Sequence, residues 1–274
     1  MLIGSHDTGK TTLARAILQA GLDTGKTCAY VDADVGESTV GPPTCTGLKW
    51  IKSKADFNDL ATADELRFVG ATDSSRLVLQ MVIATSALVE VARRSADLVV
   101  IDTTGTVSGV IGETLKYHKV ELTHPDTVIA IQRGSEMEPI IGMLRRFFSA
   151  EVVAAPVHAA IVPSSPDERK ATRVNHFQTA LLPPLESWRV RPTVFAPTLP
   201  AGLNLSRLQD VLVGVQDSKS RCLGLGLLTL EDRALKVLTN VGAGMTGLRL
   251  GSVRLDPVSF ANSPVNLREI MFGL

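Results

Sequence analysis

Gly4-Ser5-His6-Asp7-Thr8-Gly9-Lys10-Thr11 fits the pattern G-x-x-x-x-G-K-[ST] at every fixed position. The spacing carries its own chemistry. Glycines let the loop turn tightly, so its backbone N–H groups point inward at a nucleotide's phosphates, Lys10 neutralises the β/γ oxygens and the Thr11 hydroxyl ligates Mg²⁺. The following run, Thr12 to Ala20, reads as a helix with Leu13 and Ile17 four apart on one face. Its N-terminus aims a dipole at the phosphates. A loop–helix unit of this kind binds a nucleotide, and Gly4 through Thr12 are its expected contacts; His6, in a variable position, contributes backbone.

Around this unit the chain alternates strands and helices. Lys26–Val31 reads as a strand ending in Asp32-Ala33-Asp34-Val35-Gly36-Glu37, and residues 38–60 read as irregular because Gly41-Pro42-Pro43 forbids a helix or central strand. Leu66–Gly70 is a short strand, and Leu77, Met81, Ala84, Leu88 and Val91 mark a helix by their spacing. Leu98-Val99-Val100-Ile101, wholly apolar, reads as a parallel strand buried on both faces and stops at Asp102-Thr103-Thr104-Gly105. A strand at 127–131, a helix at 137–148, a strand near 151–155 and a polar helix opening at Pro166 complete the series. The rhythm predicts an α/β fold of the P-loop NTPase type, a doubly wound and mostly parallel sheet with its site at the carboxyl ends of the strands.

From Pro183 the texture changes. Prolines cluster at 183, 184, 192, 197 and 200, followed by strand-like pieces at 211–215, 223–230, 235–239 and 248–253. The expectation is residues 1–182 as a P-loop domain with a lid helix, and 183–274 as a small β-rich C-terminal module. Only Met1-Leu2-Ile3 precede the loop where a strand of about five residues is usual, so either the first strand is clipped or the native start lies upstream.

The 28 basic and 28 acidic residues cancel, so no global field advertises a nucleic-acid partner, and any such binding has to come from a local patch. Three cysteines without metal-ligand spacing point to reduced thiols. No apolar run approaches a membrane span, and no signal peptide opens the chain. The expectation is a soluble, cytoplasmic protein with no membrane partner; the sequence names no protein partner.

The acidic residues at strand ends carry the chemistry. Asp32 and Asp34 flank the phosphates, where a carboxylate holds Mg²⁺ or takes a proton from an attacking hydroxyl; a turn built from Asp and Gly is the alternative. Asp102, after four apolar residues, has the Walker B pattern and is a further metal candidate. Arg169 and Arg173, four apart, suit a lid closing over transferring phosphate; a solvated helix face is the alternative.

Taken together these stretches resemble the Clp/Grc-type polynucleotide 5′-hydroxyl kinases. The matching segments are the P-loop with Asp7 inside it, Asp32–Glu37 with Gly41-Pro42-Pro43-Thr44, Phe68-Val69-Gly70-Ala71-Thr72, Asp102-Thr103-Thr104-Gly105, and Glu168-Arg169 to Arg173. The resemblance implies an NTP-dependent kinase acting on the 5′ end of RNA or DNA, with ATP (or GTP) and Mg²⁺ as cofactors. It implies catalytic roles for Lys10, Asp34, Arg169 and Arg173, metal binding by Thr11, Asp34, Asp32 and Asp102, and substrate contacts at Thr72 and Gly105. The chain departs from the family at three positions. Glu37 stands where Gln is usual, Ser74 where Pro is usual, and Thr106 where an aromatic stacks on a base, a contact worth about 1–3 kcal/mol. Two other readings stay open: a P-loop ATPase or GTPase working through a partner protein, and a member that holds ATP without transferring phosphate.

Overall fold

The structure, a computed structural model, describes residues 1–232 and 234–272. Residues 233, 273 and 274 of the expected C-terminal module lie outside them. Strand β1 (Leu2–Gly4) runs through the P-loop into α1 (Lys10–Asp23), which is followed by β2 (Cys28–Ala33). Then come β3 (Cys45–Ile51), β4 (Glu65–Phe68), α2 (Val78–Arg93) and β5 (Leu98–Thr103). Next are α3 (Gly109–Thr123), β6 (Thr127–Gln132), α4 (Glu138–Phe147), β7 (Glu151–Pro156) and α5 (Pro166–Ala180).

These strands form one sheet in the order β4-β3-β2-β5-β1-β6-β7. The five from β2 to β7 are parallel; β3 and β4 add an antiparallel edge. Period-two alternation sorts the strand residues between two cores. Leu2, Cys28, Tyr30 and Val100 pack with Ala14 and Leu18 of α1 on one face. Ile3, Ala29, Val31, Ile101, Val128 and Ala130 pack on the other with Leu88 of α2, Val120 of α3 and Ile140 and Leu144 of α4. With helices on both faces and parallel strands between them, the sheet is doubly wound, as the alternation of elements predicts.

Two segments differ from the sequence reading. Residues 38–60, expected to be irregular, contain β3, which pairs with β2 from Cys28↔Ile51 to Asp32↔Gly47. The Gly41-Pro42-Pro43 break ends before Thr44, and the chain is free to pair beyond it. Because β3 is covered on both faces it lacks the alternation that marks a half-exposed strand; even Lys49 is buried, reaching Asp59 at 3.3 Å. Residues 109–123, to which the sequence reading gives no element, form α3, whose inward positions include lysines where apolar residues would announce a helix.

The second sheet is antiparallel throughout. It contains β8 (Glu186–Arg189), β9 (Val211–Gln216), β10 (Cys222–Glu231), β11 (Ala234–Thr239), β12 (Gly247–Leu255) and β13 (Asn262–Pro264), in the order β13-β12-β9-β10-β11-β8. A short helix, α6 (Leu267–Phe272), follows. One face of this sheet, through Leu212, Leu225, Leu227 and Val253, packs on Cys45 and Phe68 of the first sheet's edge and on Phe177 and Leu181. Gly214 admits the Phe68 ring: a Cβ there would lie 2.3 Å from it. Ser252 closes the seam, its N–H and hydroxyl both donating to the Gly70 carbonyl at 2.7 and 3.0 Å. The three cysteines are free thiols and buried. Among the described residues no helix is long and apolar enough to cross a membrane.

Candidate active site

The carboxyl ends of β1, β2 and β5 converge on one open cleft of about 370 Å³. It is lined by His6 to Thr12, Asp34, Glu37, Asp102 and Thr103, and by the loop before α5 (Ala160, Ile161, Val162, Ser164). Gly9, left-handed at φ 84°, ends the loop and starts α1. Lys10 is buried and its ammonium donates to the Ser5 carbonyl at 2.7 Å, while Thr8 Oγ1 donates to the same carbonyl at 3.0 Å. Burial lowers the Lys10 pKa, against the pull of Asp102, Asp34, Glu37 and Asp7 around it. Gly4 ends β1, Ser5 opens the loop, and Thr12 sits exposed at the mouth of the cleft.

Asp102 is buried at the end of β5. Thr11 Oγ1 donates to its Oδ2 at 2.6 Å and the buried Tyr30 hydroxyl donates to the same oxygen at 3.0 Å. Among the described residues its Oδ1 has no hydrogen-bond partner. A buried carboxylate oxygen without a donor, beside a threonine hydroxyl and an ammonium, is the arrangement an oxygen-seeking divalent cation completes. Burial pushes the Asp102 carboxyl up; the Thr11 hydroxyl and Lys10 draw it back. The donor set therefore fits Mg²⁺.

The two acids of the D-x-D element separate. Asp34 accepts the N–H groups of Gly36 and Glu37 on Oδ1 at 3.0 and 3.1 Å, and among the described residues its Oδ2 is unengaged. Asp32 has both oxygens taken: Oδ1 by the Asp34 N–H at 2.9 Å, and Oδ2 by the N–H groups of Thr39 and Val40 at 2.5 and 2.9 Å. Burial, with Asp102 and Asp34 nearby, pushes Asp32 up to about 8, against those N–H donors. Asp32, expected as a metal ligand, thus spends both oxygens on backbone N–H groups. It anchors the loop that presents Asp34, and it does not line the cleft.

The lid residues reach the same place from α5. Ser165 caps that helix in a capping box with Glu168, and Pro166 occupies its first turn. Arg169 Nη1 lies 3.1 Å from Asp7 Oδ2 and its Nε 3.4 Å from Glu37 Oε1. Arg173 Nε donates to the Gly36 carbonyl at 3.1 Å. Burial and Asp34 raise the Glu37 pKa, and His6, 3.8 Å away, and Arg169 oppose this. Thr72 comes close through its backbone: its carbonyl would lie 2.7 Å from a Cβ on Gly36. Gly105 lies flat against the His6 ring, leaving no room for a side chain. Ser74 and Thr106 are joined by a 2.6 Å hydrogen bond between hydroxyls.

Sequence reasoning missed three groups. Arg133, just past β6, donates to Ser5 Oγ at 3.3 Å and the His6 carbonyl at 3.2 Å, and also to the Asp7 carbonyl, clamping the P-loop from outside. Tyr30 looked like an ordinary strand residue. Lys116 and Lys119 of α3 are wholly buried beneath the strand ends. Only an unusual charge directly after a strand could have flagged Arg133, and nothing local flags the rest.

Comparisons with known proteins follow the same lines. The model of the family described as mRNA cleavage and polyadenylation factor CLP1 P-loop matches residues 4–179. A polyribonucleotide 5′-hydroxyl-kinase of Pyrococcus furiosus is 25% identical over 100% of this chain and 86% of its own length. One from Methanocaldococcus jannaschii is 26% identical over 93% of this chain and 86% of its own. A solved structure of Clp1p with Pcf11p, 14% identical, superposes with a TM-score of 0.68 over 92% of this chain and 73% of that one. That likeness is one of fold.

Proposed function

The chain belongs to the CLP1 P-loop family, and from that premise we propose that it is an NTP-dependent polynucleotide 5′-hydroxyl kinase. One observation carries the reading: Asp34, with Oδ2 unengaged among the described residues, shares a cleft with a P-loop lysine, and a lid arginine pairs with Glu37 at the edge of that cleft. ATP fits the loop as donor. Thr11, Asp102 and Asp34 would hold Mg²⁺, which when bound neutralises charge on the phosphates. The curated relatives are named for action on polyribonucleotides, which makes RNA the first acceptor to try. The reduced, buried thiols suit a cytoplasmic setting.

The chain's own residues then divide the work. The P-loop N–H groups and the Lys10 ammonium grip the β/γ oxygens. Asp34 accepts the proton of the 5′-hydroxyl as its oxygen bonds to the γ-phosphorus, and the bond from that phosphorus to the β–γ bridging oxygen breaks in line, leaving ADP. Arg169 exchanges its contacts with Asp7 and Glu37 for the equatorial oxygens and stabilises their charge. The segment around Thr72, with Gly105, borders the acceptor side.

The test is transfer of labelled γ-phosphate from ATP or GTP to short 5′-hydroxyl RNA and DNA. Label on the oligonucleotide supports the kinase and ranks both substrates; label only as inorganic phosphate, indifferent to oligonucleotide, makes it an NTPase.

A further inference from the structure

Helix α3 carries two lysines, Lys116 and Lys119, with no exposure at all. They stand one turn apart, and the chemistry proposed above uses neither. Lys116 Nζ donates to the Thr104 carbonyl at 2.6 Å and to Thr103 Oγ1 at 2.9 Å; that hydroxyl donates onward to the Leu2 carbonyl at 2.8 Å. Lys119 Nζ donates to the Ala33 carbonyl at 3.3 Å.

The placement is systematic. Asp32 and Asp102 are register partners across β2 and β5, and so are Ala33 and Thr103. Each lysine therefore grips the chain just past an acidic residue, and Lys119 does so at the residue joining Asp32 to Asp34. One helix face ties together the two strand ends that carry the site's carboxylates. Neither lysine forms an ion pair among the described residues; both direct N–H groups at backbone or hydroxyl oxygen. The charges facing them are Asp32, Asp34 and Asp102 from the strands and Lys10 from the P-loop.

Buried ammonium groups are costly, and an apolar side chain of similar length would fill the same space. We propose that Lys116 and Lys119 are positioning residues that fix Asp34 relative to Asp102, and so set the alignment of the acceptor carboxylate and the grip on the divalent cation. The inference rests on the kinase reading. Burial lowers both amines, Lys119 to about 8 and Lys116 well below its ordinary value. Replacing either by Met thus removes a cost as well as a contact, which separates a functional role from a structural one.

The experiment uses the full chain with Lys116→Met and Lys119→Met, alone and together. Three quantities are read: melting temperature without ligand, its rise with ADP in EDTA, and the further rise when Mg²⁺ is added. kcat and KM for ATP on 5′-hydroxyl RNA are read alongside. The expected result is an unliganded melting temperature equal or higher, an ADP response retained, and a Mg²⁺ increment cut by about half or more. kcat falls about tenfold or more with KM for ATP within about threefold. Lys119→Gln, which keeps an N–H donor, recovers part of the loss. A folded variant with unchanged kcat and Mg²⁺ increment overturns the proposal, and so does one that loses stability and every ligand response in parallel. Should a Met variant fail to fold, the Gln variant is judged by the same outcomes. Absence of label on RNA with the unmodified protein would sink the kinase reading instead, and the Mg²⁺ increment would still decide this one.

Discussion

The P-loop and the Asp32–Glu37 turn face each other across one cleft but are held by different remote groups. The loop folds on itself, Thr8 and Lys10 both donating to the Ser5 carbonyl three and five residues back, and Arg133 clamps it from outside. The turn is held from afar, by Lys119, 86 residues away, and by Arg173, 137 residues away. Locally it is tied by Asp32, which accepts the N–H groups of Asp34, Thr39 and Val40, and by Asp34, which accepts those of Gly36 and Glu37. Apart from Arg169, which pairs with both Asp7 and Glu37, nucleotide binding and acceptor activation rest on separate supports. Damage to the turn should lower turnover while leaving nucleotide affinity in place, and damage to the loop should remove both.

The largest effect expected is from Lys10→Ala, about 10³-fold in kcat/KM together with loss of the ADP-induced rise in melting temperature. A variant that keeps that rise would blur the comparison. Asp34→Asn should cost about 10²–10³-fold in kcat with KM for ATP within about threefold, measured by steady-state transfer. A matching rise in KM would mean that the turn also holds nucleotide.

Lys119 sharpens the picture through stability. Its folded pKa is about 8 against 10.5, so the fold favours the neutral amine. Below pH 8 the native state carries the cost of a buried charge; between pH 8 and 10.5 that cost disappears and stability gains up to about 3 kcal/mol. Urea unfolding should show this rise relative to Lys119→Met, whose curve lacks the term; parallel curves would contradict it. The smallest effect is at Glu37, whose carboxylate holds Arg169 where phosphate charge is expected. Glu37→Gln should lower KM for ATP about threefold to fivefold, about 1 kcal/mol or less for a partly exposed pair, and an unchanged KM would place Glu37 clear of the phosphates.

How much of this was legible in the sequence follows the same division. The P-loop, Asp102 after Leu98–Ile101 and the Asp34 element were readable because their chemistry is local. β3 was not, since Gly41-Pro42-Pro43 masked it and burial on both faces removed its alternation. Helix α3 escaped with its lysines because Lys116 and Lys119 occupy inward positions where periodicity demands apolar residues, and lysine is almost never fully buried. Asp32 and Asp34 looked equivalent two residues apart; only the fold shows that the loop at Thr39 and Val40 turns back onto the first and leaves the second open.

The most direct test follows the fate of labelled γ-phosphate on a 5′-hydroxyl RNA with the unmodified protein and with Asp34→Asn, each first checked for ADP binding. The account predicts label at the RNA 5′ end with the former, and its near-complete loss with the latter at undiminished ADP affinity. Label released only as inorganic phosphate, or full transfer by Asp34→Asn, would contradict it.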